Sequence, residues 1–113
     1  MTDKIVVLTT CDSQEKASGI ARHLIDKRVA ACVNIVPGAR SVYRWKGEIE
    51  ETSEWMLLIK SRRDLFDTLV AALRSVHPYD VPEIVALPVV EGGRSYLDWI
   101  DESLTHSPQQ VSD

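Results

Sequence analysis

A chain of 113 residues makes one domain, and 44% apolar residues suffices for a buried core. Its net charge of −4, with acids and bases interspersed, gives no basic face for nucleic acid, and no run of 18 apolar residues offers a membrane span. The opening "MTDKIVVLTT" has an acid at position 3 and lacks the long apolar core of a secretory signal. A cytoplasmic protein is therefore expected, with Cys11 and Cys32 as free thiols.

In chain order, "KIVVLTT" (4–10) is a short β-branched apolar run and predicts a buried strand. "DSQE" follows, with Asp12 placed to cap a helix and Glu15 three residues on to complete a capping box. Ala17, Ile20, Ala21, Leu24 and Ile25 then recur at helical spacing, which predicts a helix over 13–28. "VAACVNIV" (29–36) predicts the second strand. Pro37 and Gly38 interrupt it and imply a bend or bulge on an edge strand. Tyr43 and Trp45 alternate with Val42 and Arg44 at strand period, and Lys46-Gly47 predicts a hairpin turn. Residues 48–60 run back as a third strand well above the usual length of about 5–6 residues, so the hairpin tip is expected to project. Ser61 and Asp64 match a second capping pattern ahead of the stripe Leu65, Phe66, Leu69, Val70, Leu73 and Val76. Pro78 disfavours helical dihedrals at His77 and predicts that this helix ends near Val76. "EIVALPVV" (83–90) predicts the fourth strand. "SYLDWIDESL" (95–104) predicts a short helix opening on a third cap, and residues 105–113 a flexible polar tail after a single domain at 1–104.

The order β-α-β-β-α-β is the split βαβ arrangement of ferredoxin-like α+β domains, here with a long hairpin between the second and third strands. Two helices cover one face of such a sheet. The other face, together with Tyr43, Trp45 and Trp55 on the strands, calls for a partner, so a homo-oligomer is expected.

The blocks "AACVNIVPGARSVYRWKGEIE", "HPYDVPEI" and "YLDWI", in this order across residues 4–104, resemble the signature blocks of the CutA family of divalent-cation tolerance proteins. The resemblance implies a ferredoxin-like subunit in a tight trimer, similar in architecture to the PII signalling proteins, with the long hairpins pairing across subunits. It also implies a link to copper or another divalent cation. Family members with a copper site carry a cysteine at the end of the first strand and two successive histidines before the Pro-Tyr pair. In this chain Thr9 and Val76 occupy the positions of the cysteine and the first histidine, and His77 remains.

Three residues are the candidate metal ligands. His77 offers an imidazole nitrogen to copper, zinc or nickel; its alternative role is to close the second helix as a cation at the dipole's negative end. Cys11 lies two residues past Thr9, on the same strand face, where a helix N-terminus favours the thiolate; a thiol without a role is the alternative. Cys32 sits among apolar neighbours, where core packing competes with soft-metal binding. Tyr43, Trp45, Glu50, Lys60, Tyr79 and Glu83 are candidates to line a cleft between subunits, although Lys60 and Glu83 also fit a plain ion pair. Phosphate-binding glycine loops, a G-x-S-x-G elbow and H-E-x-x-H are missing from the sequence, and no nucleophile–base–orienter set stands out, so an enzyme is not expected. Two functional readings follow: a trimeric copper-binding or metal-response protein, and a PII-like scaffold that binds a small molecule or protein at its subunit cleft.

Overall fold

The computed structural model describes residues 1–106. Its elements are β1 (Lys4–Cys11), α1 (Gln14–Asp26), β2 (Cys32–Trp45), β3 (Glu48–Arg62), α2 (Phe66–Val76), β4 (Val85–Pro88) and α3 (Arg94–Ser103), with one 3-10 turn at Arg63–Leu65 before α2. The strands form one antiparallel sheet in the order β2-β3-β1-β4, the order a split βαβ unit produces.

Strand alternation decides what each face carries. Ile5, Val7, Thr9 and Cys11 of β1 point to the helical side, beside Trp55, Leu57 and Ile59 of β3. Ala17, Ile20 and Leu24 of α1 and Leu69 and Leu73 of α2 close over them as the main core. A smaller cluster of Ala31, Leu65, Ile100 and Leu104 packs α3 against the sheet end. The opposite face carries Val6, Leu8, Met56, Leu58, Val36, Val85 and Leu87, and among the described residues no helix lies over these side chains.

β2 is one continuous strand from Cys32, with a register shift between Val36 and Ala39 where Pro37 and Gly38 (φ +79°) sit on the sheet edge. Lys46 and Gly47 both take positive φ, the conformation of a tight hairpin turn. The hairpin beyond the bulge runs past the helical layer as a two-stranded arm.

Several local expectations shift. Ser13, one residue after Asp12, caps α1 by accepting from the Lys16 amide at 3.1 Å. Ser61 instead donates to the Val29 carbonyl at 2.6 Å, pinning the chain between α1 and β2 to β3, and α2 has no side-chain cap. Gly93 precedes α3 and leaves it likewise uncapped by a side chain. Trp55 faces the helices and packs on the main core rather than on the open side, because it pairs with Cys11 in the inward register. β4 is limited to Val85–Pro88 by the reach of its pairing with β1. Thr105, placed in the expected tail, is buried, and its amide donates to the Arg28 carbonyl at 3.1 Å. Residues 107–113 of that tail lie outside the described residues.

A charged cluster holds α3 in place. Arg62, with its side chain 10% exposed, donates to Asp64 at 2.6 Å, to Asp101 at 3.1 Å and to the Thr105 carbonyl at 2.8 Å. Lys4 pairs with Asp101 at 3.2 Å from the first strand. Burial alone would raise the Asp101 carboxyl, but the bonds and charges of Arg62 and Lys4 outweigh it and hold the group below its ordinary value of 3.8. A carboxylate lowered in this way adds stability above its unfolded pKa and loses that stability as pH falls through the folded value.

Two measurements check this packing. Thr9 Oγ1 is fully buried with no hydrogen-bond partner among the described residues. Thr9→Val is therefore expected to raise unfolding free energy by about 1 kcal/mol in denaturant titrations, and a loss of stability would mean that the hydroxyl is in use. Asp101→Asn is expected to cost about 1 kcal/mol at pH 7, a modest figure because half the carboxylate is in water. In paired titrations at pH 7 and pH 3 that difference shrinks in acid, because below 3.8 the unfolded chain takes up the proton ahead of the native carboxylate.

Candidate functional site

The polar corner where α2 hands over to β4 collects the chain's most constrained candidates. Pro78 forces His77 into extended geometry (φ −79°, ψ 134°), which ends α2 and turns the imidazole back toward β1. There Nε2 lies 2.8 Å from the Thr10 carbonyl, and the Tyr79 amide donates to Nδ1 at 3.1 Å. A carbonyl only accepts and an amide only donates, so the ring is neutral and carries its proton on Nε2. Tyr79 meets the imidazole edge-on, with ring centroids 4.9 Å apart, and its hydroxyl donates to Glu54 Oε2 at 2.8 Å. Burial pushes the Tyr79 phenol up, and the Glu54 bond and the charges of Glu54 and Asp12 push it further, so it stays a donor. Glu54 is 8% exposed, although every other residue of Glu48–Glu54 is exposed.

Cys11 lies beside this corner but not in it. Its side chain is fully buried under the helices and donates to the Ser13 carbonyl at 3.5 Å. Burial pushes the thiol up, and the charges of Asp12 and Glu54 add to that. This reverses the expected thiolate: the helix N-terminus is present, but desolvation of the charged form dominates. Cys32 is half-buried on the opposite face, cross-strand from Lys60. Its sulfur meets the Tyr96 hydroxyl, and the Tyr96 phenol is raised by burial first and by this contact second. A one-residue difference in strand parity thus separates the two thiols by the thickness of the sheet.

The three candidate ligands do not converge. His77 has both nitrogens engaged, Cys11 keeps its proton, and Cys32 faces the other way. Among the described residues no group of three His, Cys, Asp or Glu side chains could hold an ion. Within one subunit, the described residues bring no three-ligand set together for a metal.

The cleft candidates divide as well. Tyr43 and Glu50 are direct cross-strand partners, and Trp45 lies two residues on along the same face of the arm. Lys60 lies at the far end of β3, where its ammonium donates to Asn34 Oδ1 rather than pairing with the exposed Glu83. At about 3.4 Å per residue, Glu50 and Lys60 are roughly 34 Å apart, too far for one cleft in one chain. Glu54, the buried anchor of the corner, had one sequence signal: it is the last polar residue before the apolar run Trp55–Ile59.

The fold and this corner define a ferredoxin-like α+β subunit with a projecting β-arm and an open sheet face. A family model described as CutA1 divalent ion tolerance protein matches residues 5–103, and the chain belongs to that family. The divalent-cation tolerance protein CutA of Thermus thermophilus is 53% identical over 98 residues, covering 87% of this chain and 95% of that protein. Protein CutA of Mus musculus is 47% identical over 93 residues, which span 82% of this chain and 52% of the mouse protein. Among solved structures, CutA1 from Oryza sativa superposes with a TM-score of 0.89 at 42% identity, covering 92% of this chain and 95% of that one.

The two thiols should differ sharply in reactivity. In a Cys32→Ser variant, Cys11 is the one remaining cysteine. It is expected to resist a maleimide in the native protein and to label fully in denaturant, as read by intact mass. Rapid native labelling would show that its burial is not maintained in solution.

Proposed function

We propose that this protein is a non-catalytic, cytosolic homotrimer acting in divalent-cation tolerance, and that an ion it binds, copper above all, sits between subunits and engages Cys32. The open face of the sheet carries the assembly reading. Val36, Val85 and Leu87 are exposed there beside half-buried Val6, Leu8, Met56 and Leu58, a continuous apolar surface of the kind that soluble chains cover with a partner. Pairing of the arms across subunits suits their open edges and their length beyond the helical layer. The family resemblance points to copper, and the Cys32 thiol and the Met56 thioether on the open face are soft donors that suit it. Any complete coordination set needs side chains from more than one copy, because one subunit brings none together. Two unbridged cysteines suit a reducing compartment, and no helix among the described residues is long and apolar enough to cross a membrane.

A second reading rests on the separation of the cleft residues. Tyr43, Trp45 and Glu50 of one arm and Lys60, Tyr79 and Glu83 of a neighbouring copy would enclose a cleft only in the assembly. A PII-like scaffold that binds a small molecule there would raise its melting temperature with that molecule in metal-free buffer.

Native mass spectrometry of reduced, chelator-treated protein tests both readings. A trimer that gains copper, with the gain lost in Cys32→Ser, is the expected result. A trimer that stays metal-free moves the function to the scaffold reading. A monomer would overturn the assembly.

A further inference from the structure

The part of β3 that leaves the body has β2 on one side and no strand on the other, because β1 ends at the Cys11–Trp55 pair. Two strands alone are marginal in water, so the arm needs a fixed root. Glu54 is the first residue beyond β1's reach, and it pairs with Ala39 directly after the bulge in β2. It is buried there although no strand flanks it on the β1 side, because Tyr79 closes over it and donates to its carboxylate at 2.8 Å. Tyr79 is positioned in turn by His77, whose Nδ1 accepts the Tyr79 amide at 3.1 Å while Nε2 donates to the Thr10 carbonyl at 2.8 Å. Pro78 between the two rings restricts the backbone, so both anchors move together. Three hydrogen bonds therefore run in series from the end of β1 to the root of the arm.

We infer that His77, Tyr79 and Glu54 form a latch that fixes the root of the β2–β3 arm, and that this corner is not a metal site. An ion on either imidazole nitrogen must break a link of the series. A break at Nδ1 frees Tyr79, and without the phenol Glu54 keeps a nearly buried carboxylate that has lost its donor, which costs more than an ordinary hydrogen bond. The latch holds whether or not Cys32 binds an ion on the other face. Tyr79 and His77 are positioning residues that act through Glu54.

Hydrogen exchange on the full-length chain in its native assembly tests this. Tyr79→Phe removes one oxygen and is expected to speed amide exchange in residues 39–53 by roughly tenfold, the effect of losing one bond to a charged group. Exchange in α1 and β1 should stay within about twofold of the unaltered protein, which a general loss of stability would not spare. Glu54→Gln keeps an acceptor and should leave the arm slow, whereas His77→Ala should release the same amides as Tyr79→Phe. Equal acceleration everywhere, or no acceleration in the arm, would overturn the latch. Native mass spectra of each variant show separately whether the assembly persists, so loss of the oligomer is not mistaken for loss of the latch. Copper(II) added to Cys32→Ser should leave the His77 ring resonances sharp, and selective broadening would overturn the exclusion of metal from the corner.

Discussion

β3 runs from Glu48 to Arg62, while its inner neighbour β1 pairs only with Trp55–Arg62. That mismatch in strand length governs the rest of the molecule. Where β1 is present, the helices have a sheet wide enough to cover, and the core forms. Where β1 stops, β3 and β2 continue with both edges open and no helical layer. An edge of unpaired amides and carbonyls is a template for another chain, so the same mismatch that makes the arm also supports the proposed assembly.

The polar groups at the boundary follow from the same geometry. A strand that outruns its neighbour exposes the flank of its next residue, here Glu54, to whatever loop lies beyond. The α2–β4 connection supplies Tyr79, and the rigid His77-Pro78 entry sets it in place. Every hydrogen-bonding nitrogen of the imidazole is thereby committed. The residue that looked most like a ligand acts as a fastening because its partners are a backbone carbonyl and a backbone amide, which no conformational change short of opening the loop removes.

Membership of the CutA1 family gives the chain its fold and its association with divalent-cation tolerance. The chain's own residues bear on where an ion could sit. Thr9, at the position where the resemblance places a cysteine, is fully buried toward the helices. Val76 stands in place of a histidine, and Cys11 keeps its proton through burial. What remains is a thiol on the open sheet face, Cys32, beside the Tyr96 hydroxyl. This shifts the search for metal chemistry from a corner within one subunit to the surface between subunits.

Short-range physics was legible in the sequence. Apolar period identified every strand and helix, Pro78 set the end of α2, Pro37-Gly38 marked the bulge, and Lys46-Gly47 marked the turn. The projecting arm and the open sheet face followed from strand length and helix count. Choices among equivalent local options were not legible. Asp12 and Ser13 are both good caps, and the chain used Ser13, whose hydroxyl reaches the Lys16 amide. Trp55 and Tyr43 both read as strand aromatics, and only the register with Cys11 turned Trp55 inward. The candidate site was the least legible part. Whether Cys11, Cys32 and His77 converge depends on strand parity and on which nitrogen each neighbour engages, and those are properties of pairing between segments distant in the chain. The sequence by itself determined the elements and the apolar open face, because periodicity and apolar area are local sums. Tertiary structure alone decided which donors were free, because burial and hydrogen-bond occupancy exist only once the strands are in register.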